Sequence, residues 1–275
     1  MRVFIAGGDS RIGSALAGIA RKYGDEVIPS SRRPDAAWPM DLGYPESWRL
    51  PDGPGAAFLC ASVCSLAACR MNPEATALIN VKGTLLLAER LAASGFRICF
   101  LSSNQVFDGR SPFPPPSAAV SPKTEYGRQK AVVEERLLRF FPSSLIVRLS
   151  KVVAPDLPLF RAWKNALERK EVIHPFSDSY LSPIPLVDMA EVLYSAMAKG
   201  ERGILHLSGP DQISYAEAGQ ILADVLHADN MLIQEIPAPD IIPMEEHPPH
   251  VTLGASRQSM PTASSTLAQV FRSMM

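Results

Sequence analysis

An α/β fold with a doubly wound parallel sheet is predicted by three observations on this 275-residue sequence. Short β-like runs alternate with helical stretches through the first half, which is the pattern of βαβ units. The third of them, Ala56 to Cys60, is apolar throughout, as a strand covered on both faces should be. A glycine turn joins the first run directly to the first helix, where a crossover connection has to begin.

Taken in order, Arg2 to Ala6 reads as the first strand, followed by a helix from Arg11 to Tyr23 and a strand from Glu26 to Ser30. Ala56 to Cys60 reads as the third strand. The next helix has a clear start: Asn72-Pro73-Glu74 supplies a capping side chain, a proline at the first helical position and an acid in the first turn. Apolar periodicity carries it to Ala93, and Gly95 ends it. Strand four is Arg97 to Leu101 and strand five Leu145 to Leu149. Between them the prolines of Ser111 to Pro122 exclude regular structure, and a helix spans Lys123 to Phe140.

Beyond Ser150 the pattern loosens into short, proline-rich segments. A helix from Val187 to Lys199, a strand from Ile204 to Leu207 and a helix from Ser214 to Leu226 follow, and Pro237 to Pro249 reads as an irregular loop. Residues 1–150 are therefore expected to form one domain, with a segment near 184–207 returning to its sheet. Residues 151–275 are expected to form mostly a smaller substrate-binding region.

Composition narrows the function classes. A hydrophobic fraction of 47% supplies a full core, and a formal net charge of −1 gives no global attraction to nucleic acid or to an anionic membrane. The first apolar run is too short for a signal peptide, and no later run is long enough to span a bilayer. A cytoplasmic protein is the expectation, with neither nucleic acid nor membrane as partner and a homodimer as a possible state. The four cysteines, Cys60, Cys64, Cys69 and Cys99, match no zinc spacing and read as reduced, small apolar residues, so no metal is expected.

The turn Gly7-Gly8-Asp9-Ser10-Arg11-Ile12-Gly13 carries the first functional signal. Gly7 and Gly13 stand at the outer positions of a dinucleotide-binding turn, where a sharp bend and close helix packing present a helix N-terminus to a pyrophosphate. Ser10 stands where a third glycine would allow the closest backbone approach, and its hydroxyl is available to a phosphate. The same residues also fit a plain glycine turn. At the end of the second strand, where an acid would hold a ribose 2′-hydroxyl, stand Arg32 and Arg33. Two guanidinium groups suit a 2′-phosphate, favouring NADP(H) with NAD(H) still possible; the alternative is a solvated surface pair. Asp41 and Leu42 are placed beside the adenine, and Cys60, Ala61 and Ser62, at the end of the third strand, complete the expected cofactor site of a Rossmann-type fold.

Tyr126 and Lys130 are four apart on one helix face. A phenol is a poor proton donor or acceptor at neutral pH, and a cation one turn away is expected to lower its pKa. Such spacing also arises by accident; position distinguishes this pair, since it opens the helix that follows a strand ending Leu101-Ser102-Ser103. A hydroxyl at the C-terminal edge of a parallel strand faces the ligand crevice, so Ser103 is placed to donate to a substrate carbonyl oxygen.

The order of glycine turn, strand-end serine and Tyr-x-x-x-Lys resembles the extended short-chain dehydrogenase/reductase superfamily. Within it, Ser102 to Gly109 is similar to the Ser-Thr-Asp-Tyr-Val-Phe-Asp-Gly stretch of the dTDP-4-dehydrorhamnose reductases. Asn80-Val81-Lys82-Gly83-Thr84 resembles that family's asparagine helix, and the segments Ser182 to Ala190 and His206 to Gly209 resemble its later landmarks. The resemblance implies an NADPH-dependent reductase of a keto sugar joined to a nucleoside diphosphate. It implies a catalytic group of Ser103, Tyr126 and Lys130, with Asn80 supporting a proton relay through the lysine. Departures fall in the substrate pocket: Asn104 and Gln105 replace an aspartate and a tyrosine, and Lys151 replaces a sugar-contacting tryptophan. Asn104, Gln105, Lys151 and Arg161 are thus candidate substrate contacts, with Phe160 and Trp163 beside them. Lys151 equally fits a solvated surface lysine. Two other functions stay open on the same fold. One is a sugar-nucleotide epimerase or dehydratase, disfavoured because Asn104-Gln105 lacks the dehydratases' acidic pair. The other is an NAD(P)-binding regulatory subunit resembling the β-subunit of methionine adenosyltransferase.

Overall fold

The computed structural model describes residues 1–254 and 262–275; the remainder of the expected 151–275 region lies outside the described residues. The chain forms β1 (Arg2–Ala6), α1 (Arg11–Lys22), β2 (Glu26–Pro29), β3 (Gly55–Leu59), α2 (Leu66–Met71), α3 (Pro73–Ala77), α4 (Thr84–Ala93), β4 (Phe96–Ser103), α5 (Glu125–Phe140) and β5 (Leu145–Leu149). It continues with β6 (Lys151–Val153), α6 (Pro158–Glu168), β7 (Tyr180–Leu181), β8 (Pro183–Pro185), α7 (Leu186–Ala198), β9 (Gly203–Leu207), β10 (Ile213–Ser214), α8 (Tyr215–Leu226) and α9 (Ala263–Arg272).

The main sheet has six strands in the order β2-β1-β3-β4-β5-β9, and β1 pairs in parallel with both β2 and β3, as β3 does with β4. This is the expected doubly wound α/β architecture. Strand order reverses between β1 and β3, and ligands of such sheets bind outside the strand ends at that point. A single parallel bridge from Ser31 to Pro39 stands outside β2, where a further strand would lie.

Two compact units share the chain. One comprises residues 1–107, 119–148 and 186–205, and the other residues 108–118, 149–185 and 206–275. The first unit is built around Phe4, Phe58, Phe100, Leu87, Leu91 and Leu137, all essentially inaccessible to water. In the second, Phe160, Trp163, Leu222, Leu267 and Phe271 form a separate core from α6, α8 and α9. The Phe160 ring meets Phe271 edge-on at 4.9 Å.

The regular elements of the first unit lie where periodicity puts them, with differences that have local causes. The helical run from Pro73 to Ala93 is not uniform: Leu78–Gly83 forms a π-helical turn between α3 and α4. A β-carbon on Gly83 would stand 2.4 Å from the Leu42 carbonyl oxygen, so this turn sits directly on the chain that follows β2. β4 extends to Ser103, two residues past its expected end, and so carries the serine itself. Helix α2 was not expected; six residues are too few to show a period, although Ser65 caps it by accepting from Ala68 N. In the second unit α6 and α9 were also missed. Their signals are present, with Phe160, Trp163 and Leu167 on one face of α6 behind a first-turn proline, and Leu267, Val270 and Phe271 on one face of α9.

Helix α5 is fixed to the sheet by two contacts. Thr124 caps it, accepting from Gly127 N at 3.1 Å, and an added β-carbon on Gly127 would lie 2.0 Å from the Gln105 carbonyl oxygen. Nothing larger than glycine fits there without moving the helix. Further along, Glu134 and Arg148 of β5 form a forked ion pair, with Nη2 to Oε2 at 2.7 Å and Nε to both carboxylate oxygens at 3.1 Å. Both residues are 2% exposed, and the guanidinium lies 5.0 Å from the Phe107 ring centroid.

Removing one partner of such a pair strands a buried charge, so Glu134→Ala is expected to destabilise the chain by roughly 3–5 kcal/mol in urea unfolding. Gly127→Ala is expected to cost about 1–3 kcal/mol through overpacking. Gly18→Ala is the control, because Gly18 is exposed on α1 with open space at its β-carbon. There alanine is expected to add about 0.5–1 kcal/mol through helix propensity.

Candidate active site

At the C-terminal edge of β1 the chain turns with Gly7 at φ +78°. A β-carbon on Gly7 would meet Ala61 N at 3.0 Å, one on Gly8 would meet the Pro29 side chain at 2.4 Å, and one on Gly13 would meet the Gly7 carbonyl oxygen at 2.2 Å. These three glycines draw the turn, the end of β2, the start of α1 and the chain after β3 together at the sheet's reversal point. Gly7 and Gly13 do this from the outer positions expected of them. Gly8 was not singled out from the sequence, although its approach to Pro29 is as close as the others.

Ser10 is the N-cap of α1: its Oγ accepts from Gly13 N at 3.0 Å and donates to Gly7 O at 2.7 Å. The first turn of α1, with Arg11 and Ile12, contains no acid, so the helix N-terminus keeps its attraction for an anion. Arg32 and Arg33 are exposed just beyond β2. Arg33 Nε is 3.9 Å from Asp9 Oδ2, and Ser31 Oγ donates to that same oxygen at 2.7 Å. Asp41 Oδ1 accepts from Gly43 N at 2.8 Å, while Leu42 is buried in the core. Cys60 and Ser62 flank Ala61 in the chain that follows β3.

Ser103 is the last residue of β4. Its Oγ donates to Asn104 Oδ1 and accepts from Gln105 N, both at 3.2 Å. Gln105 Oε1 accepts from Thr124 Oγ1 at 3.2 Å, so the turn carrying Asn104 and Gln105 is tied to the cap of α5.

Lys130 is buried, and its Nζ donates to Leu101 O at 2.9 Å. The ammonium lies 4.7 Å from the Phe100 ring centroid and 5.5 Å from that of Tyr126. The lysine is thereby pinned two residues upstream of Ser103 on the same strand. Lys130, with Tyr126 beside it, is thus held to the strand that ends in Ser103.

Burial lowers the Lys130 pKa from its usual value, outweighing nearby thiols and Glu134. The Tyr126 phenol is pushed well above its usual value, first by burial, then by the charge of Cys64, the hydrogen bond to Cys64 and the charge of Cys69. This reverses the expectation that the lysine leaves the phenol with a lowered pKa: in the chain alone, desolvation wins.

Asn80 lies in the π turn, 1% exposed. Its Oδ1 accepts from Ser62 Oγ at 3.0 Å and Val63 N at 2.8 Å, and its Nδ2 donates to Val63 O at 3.0 Å and Gln129 Oε1 at 2.8 Å. Gln129, beside Lys130 on α5, donates in turn to Thr76 Oγ1 at 2.9 Å and Glu125 Oε1 at 3.1 Å. The side chain of Asn80 therefore ties the chain after β3 to α5, and Gln129 belongs to this framework although the sequence did not mark it.

The remaining candidates lie in the second unit. Lys151 is exposed at the start of β6 and Arg161 is exposed on α6. Phe160 and Trp163 correct the expectation of pocket residues, because both are buried in that unit's core, where the 3.6-residue period of α6 turns them inward. Among the described residues no group of His, Cys, Asp and Glu is placed to hold a metal ion, and no helix is long and apolar enough to cross a membrane.

Known proteins share this architecture. A dTDP-4-keto-6-deoxy-D-glucose reductase of Streptomyces niveus is 25% identical over 71% of this chain and 69% of its own. A probable low-salt glycan biosynthesis reductase, Agl14, of Haloferax volcanii is 24% identical over 85% of this chain and 83% of its own. The crystal structure of a dTDP-4-dehydrorhamnose reductase from Bacillus anthracis, in complex with NADP, superposes with a TM-score of 0.84 at 17% identity, covering 100% of this chain and 99% of that one. The RmlD substrate binding domain model matches residues 1–259. With nearly its whole length matched, this chain belongs to the RmlD substrate binding domain family, of the extended short-chain dehydrogenase/reductase type.

Proposed function

We propose that this chain is an NADPH-dependent reductase of a keto group on a nucleotide-activated sugar. The observation that carries the reading is the Lys130–Leu101 hydrogen bond: it holds a buried cation beside Tyr126 and ties both to the strand that ends in Ser103. Two of the proteins it resembles by sequence are named as sugar or glycan reductases.

The dinucleotide fits the residues present. The compressed glycine turn and the acid-free N-terminus of α1 receive a pyrophosphate. Ser10 contributes to that cradle by holding it in shape through its two bonds to the turn. Arg32 and Arg33 receive a 2′-phosphate, Asp41 and Leu42 flank the adenine, and Cys60, Ala61 and Ser62 border the dinucleotide at the sheet's reversal point. When bound, NADPH supplies the hydride that reduces the ketone carbon.

The chain's own residues then handle the oxygen. Ser103 orients the carbonyl by donating to it. Tyr126, whose phenol burial keeps protonated across neutral pH, gives its proton to the developing alkoxide. The Lys130 ammonium stabilises the phenolate left behind, with Leu101 O fixing its position, and holds the nicotinamide ribose. Asn80 positions the chain after β3 against α5 rather than carrying charge. Asn104 and Gln105 are the candidate sugar contacts of the first unit, and Lys151 and Arg161 those of the second.

The cytoplasmic setting and a homodimeric state belong to the same proposal. Sedimentation measures the oligomer.

Tyr126→Phe is expected to lower reduction of nucleotide-linked keto sugars by at least a hundredfold while NADPH affinity, followed by nicotinamide fluorescence, stays within about threefold. Retained turnover removes the phenol from the mechanism. Arg32→Ala with Arg33→Ala is expected to abolish the preference for NADPH over NADH in thermal protection, because the Asp9 carboxylate then faces the ribose without its guanidinium neighbour. A preference that survives the double substitution places the 2′-phosphate elsewhere.

A further inference from the structure

Beyond the second strand, where a dinucleotide fold often holds the ribose 2′-hydroxyl with an acid, this chain carries Arg32 and Arg33. The fold brings an acid to that place from another segment. Gly8 N donates to Ser30 O at 2.7 Å, and the Pro29 side chain stands where a Gly8 β-carbon would lie, so the glycine turn is stitched to the end of β2. Asp9, the next residue, is thereby set against Ser31, whose Oγ donates to Asp9 Oδ2 at 2.7 Å. Ser31 is itself fixed: its N donates to Trp38 O, its O accepts from Met40 N, and its Oγ accepts from Arg33 N at 3.1 Å. The carboxylate and the Arg33 backbone are bonded to one buried hydroxyl.

The two charges are much less tightly bound to each other. Arg33 Nε is 3.9 Å from Asp9 Oδ2, and the side chains are 70% and 41% exposed. An ion pair so long and so wet contributes little, so neither charge is used up on the other. A carboxylate with one bond from Ser31 also accepts from a further hydroxyl.

We infer that Asp9 is a specificity-determining residue for the dinucleotide: its carboxylate accepts from the ribose 2′-hydroxyl of NADH and repels the 2′-phosphate of NADPH, limiting the preference that Arg32 and Arg33 create.

Both effects act in the same direction. A phosphate monoester brings nearly two negative charges at neutral pH, and a carboxylate a few ångströms away opposes its binding. A hydroxyl at the same place brings a donor, and a hydrogen bond to a charged group is among the stronger kinds. Arg33 serves either ligand, pairing with the phosphate or neutralising Asp9. The inference rests on the dinucleotide part of the reductase reading and not on turnover.

The test measures the dissociation constants of NADPH and NADH by nicotinamide fluorescence, with no keto sugar present. Asp9→Asn keeps the size of the side chain and an acceptor for Ser31 while removing the charge. It is expected to tighten NADPH and weaken NADH, moving the ratio of their dissociation constants toward NADPH by roughly tenfold. Asp9→Ala, which removes the acceptor as well, is expected to move the ratio the same way. A 2′-deoxy form of NADH checks the hydroxyl directly: the intact chain is expected to bind it more weakly than NADH, and Asp9→Ala to bind the two alike. A ratio within about twofold of the intact chain's in both Asp9 variants overturns the inference and leaves the reductase reading standing. Equal binding of NADH and its 2′-deoxy form by the intact chain overturns it too. A shifted ratio in a chain that reduces no keto sugar upholds the inference and sinks the reductase reading instead.

Discussion

The arrangement proposed for catalysis depends on how closely the start of α5 can approach the end of β4. Gly127 makes that approach possible, because the Gln105 carbonyl oxygen occupies the place where any side chain would begin. The tyrosine stands one residue before this contact and the lysine three residues after it. A helix displaced by even a methyl group would carry both away from Ser103. Catalysis by positioned groups loses its advantage over such distances. The glycine between tyrosine and lysine is therefore a steric requirement of the strand end and plays no chemical part.

Charge within the first unit is organised around the same helix. Its buried face carries a lysine, a glutamine and a glutamate, and each has a specific partner. Lys130 is held by a backbone carbonyl and two aromatic faces, Gln129 by Asn80, Thr76 and Glu125, and Glu134 by Arg148. An unmatched group among them would cost several kcal/mol. The helix is thus held along its length by polar contacts of defined geometry, in addition to the apolar contacts of Val133 and Leu137. Apolar packing alone tolerates small slides and rotations; directional bonds at successive turns do not. The π turn serves this arrangement by placing Asn80 where one amide serves the chain after β3 and α5 together.

Much of this was legible in the sequence. The strands of the first unit, the helix carrying Tyr126 and Lys130 and the glycine turn follow from period and spacing, because βαβ units write their faces and junctions locally. Ser103 was found because a strand end followed by a helix start is a local pattern. What sequence did not yield depends on contacts between distant segments. Gly8 is required by Pro29, Gly83 by Leu42 and Gly127 by Gln105, and no spacing rule links these pairs. The direction of the Tyr126 shift was misjudged for a related reason: a lysine one turn away is visible in the sequence, whereas the desolvation that outweighs it is a property of the folded surroundings. In the second unit, Phe160 and Trp163 resembled pocket residues because they follow the sheet closely. Their period on α6, with Leu167, would have identified them as core.

The two amides after Ser103 bear on which chemistry this fold performs. In the structure Asn104 accepts from Ser103, and Gln105 accepts from Thr124 at the cap of α5. Both side chains are thereby part of the scaffold that holds the serine and the helix start. Carboxylates at these positions would be able to take and return protons at neutral pH, as elimination of water from a sugar requires; amides cannot. Neither amide can then share proton transfer with the phenol, whose own surroundings keep it protonated. A protonated phenol beside two amides is matched to the proposed reduction, in which the cofactor would give the hydride to carbon and the phenol one proton to oxygen.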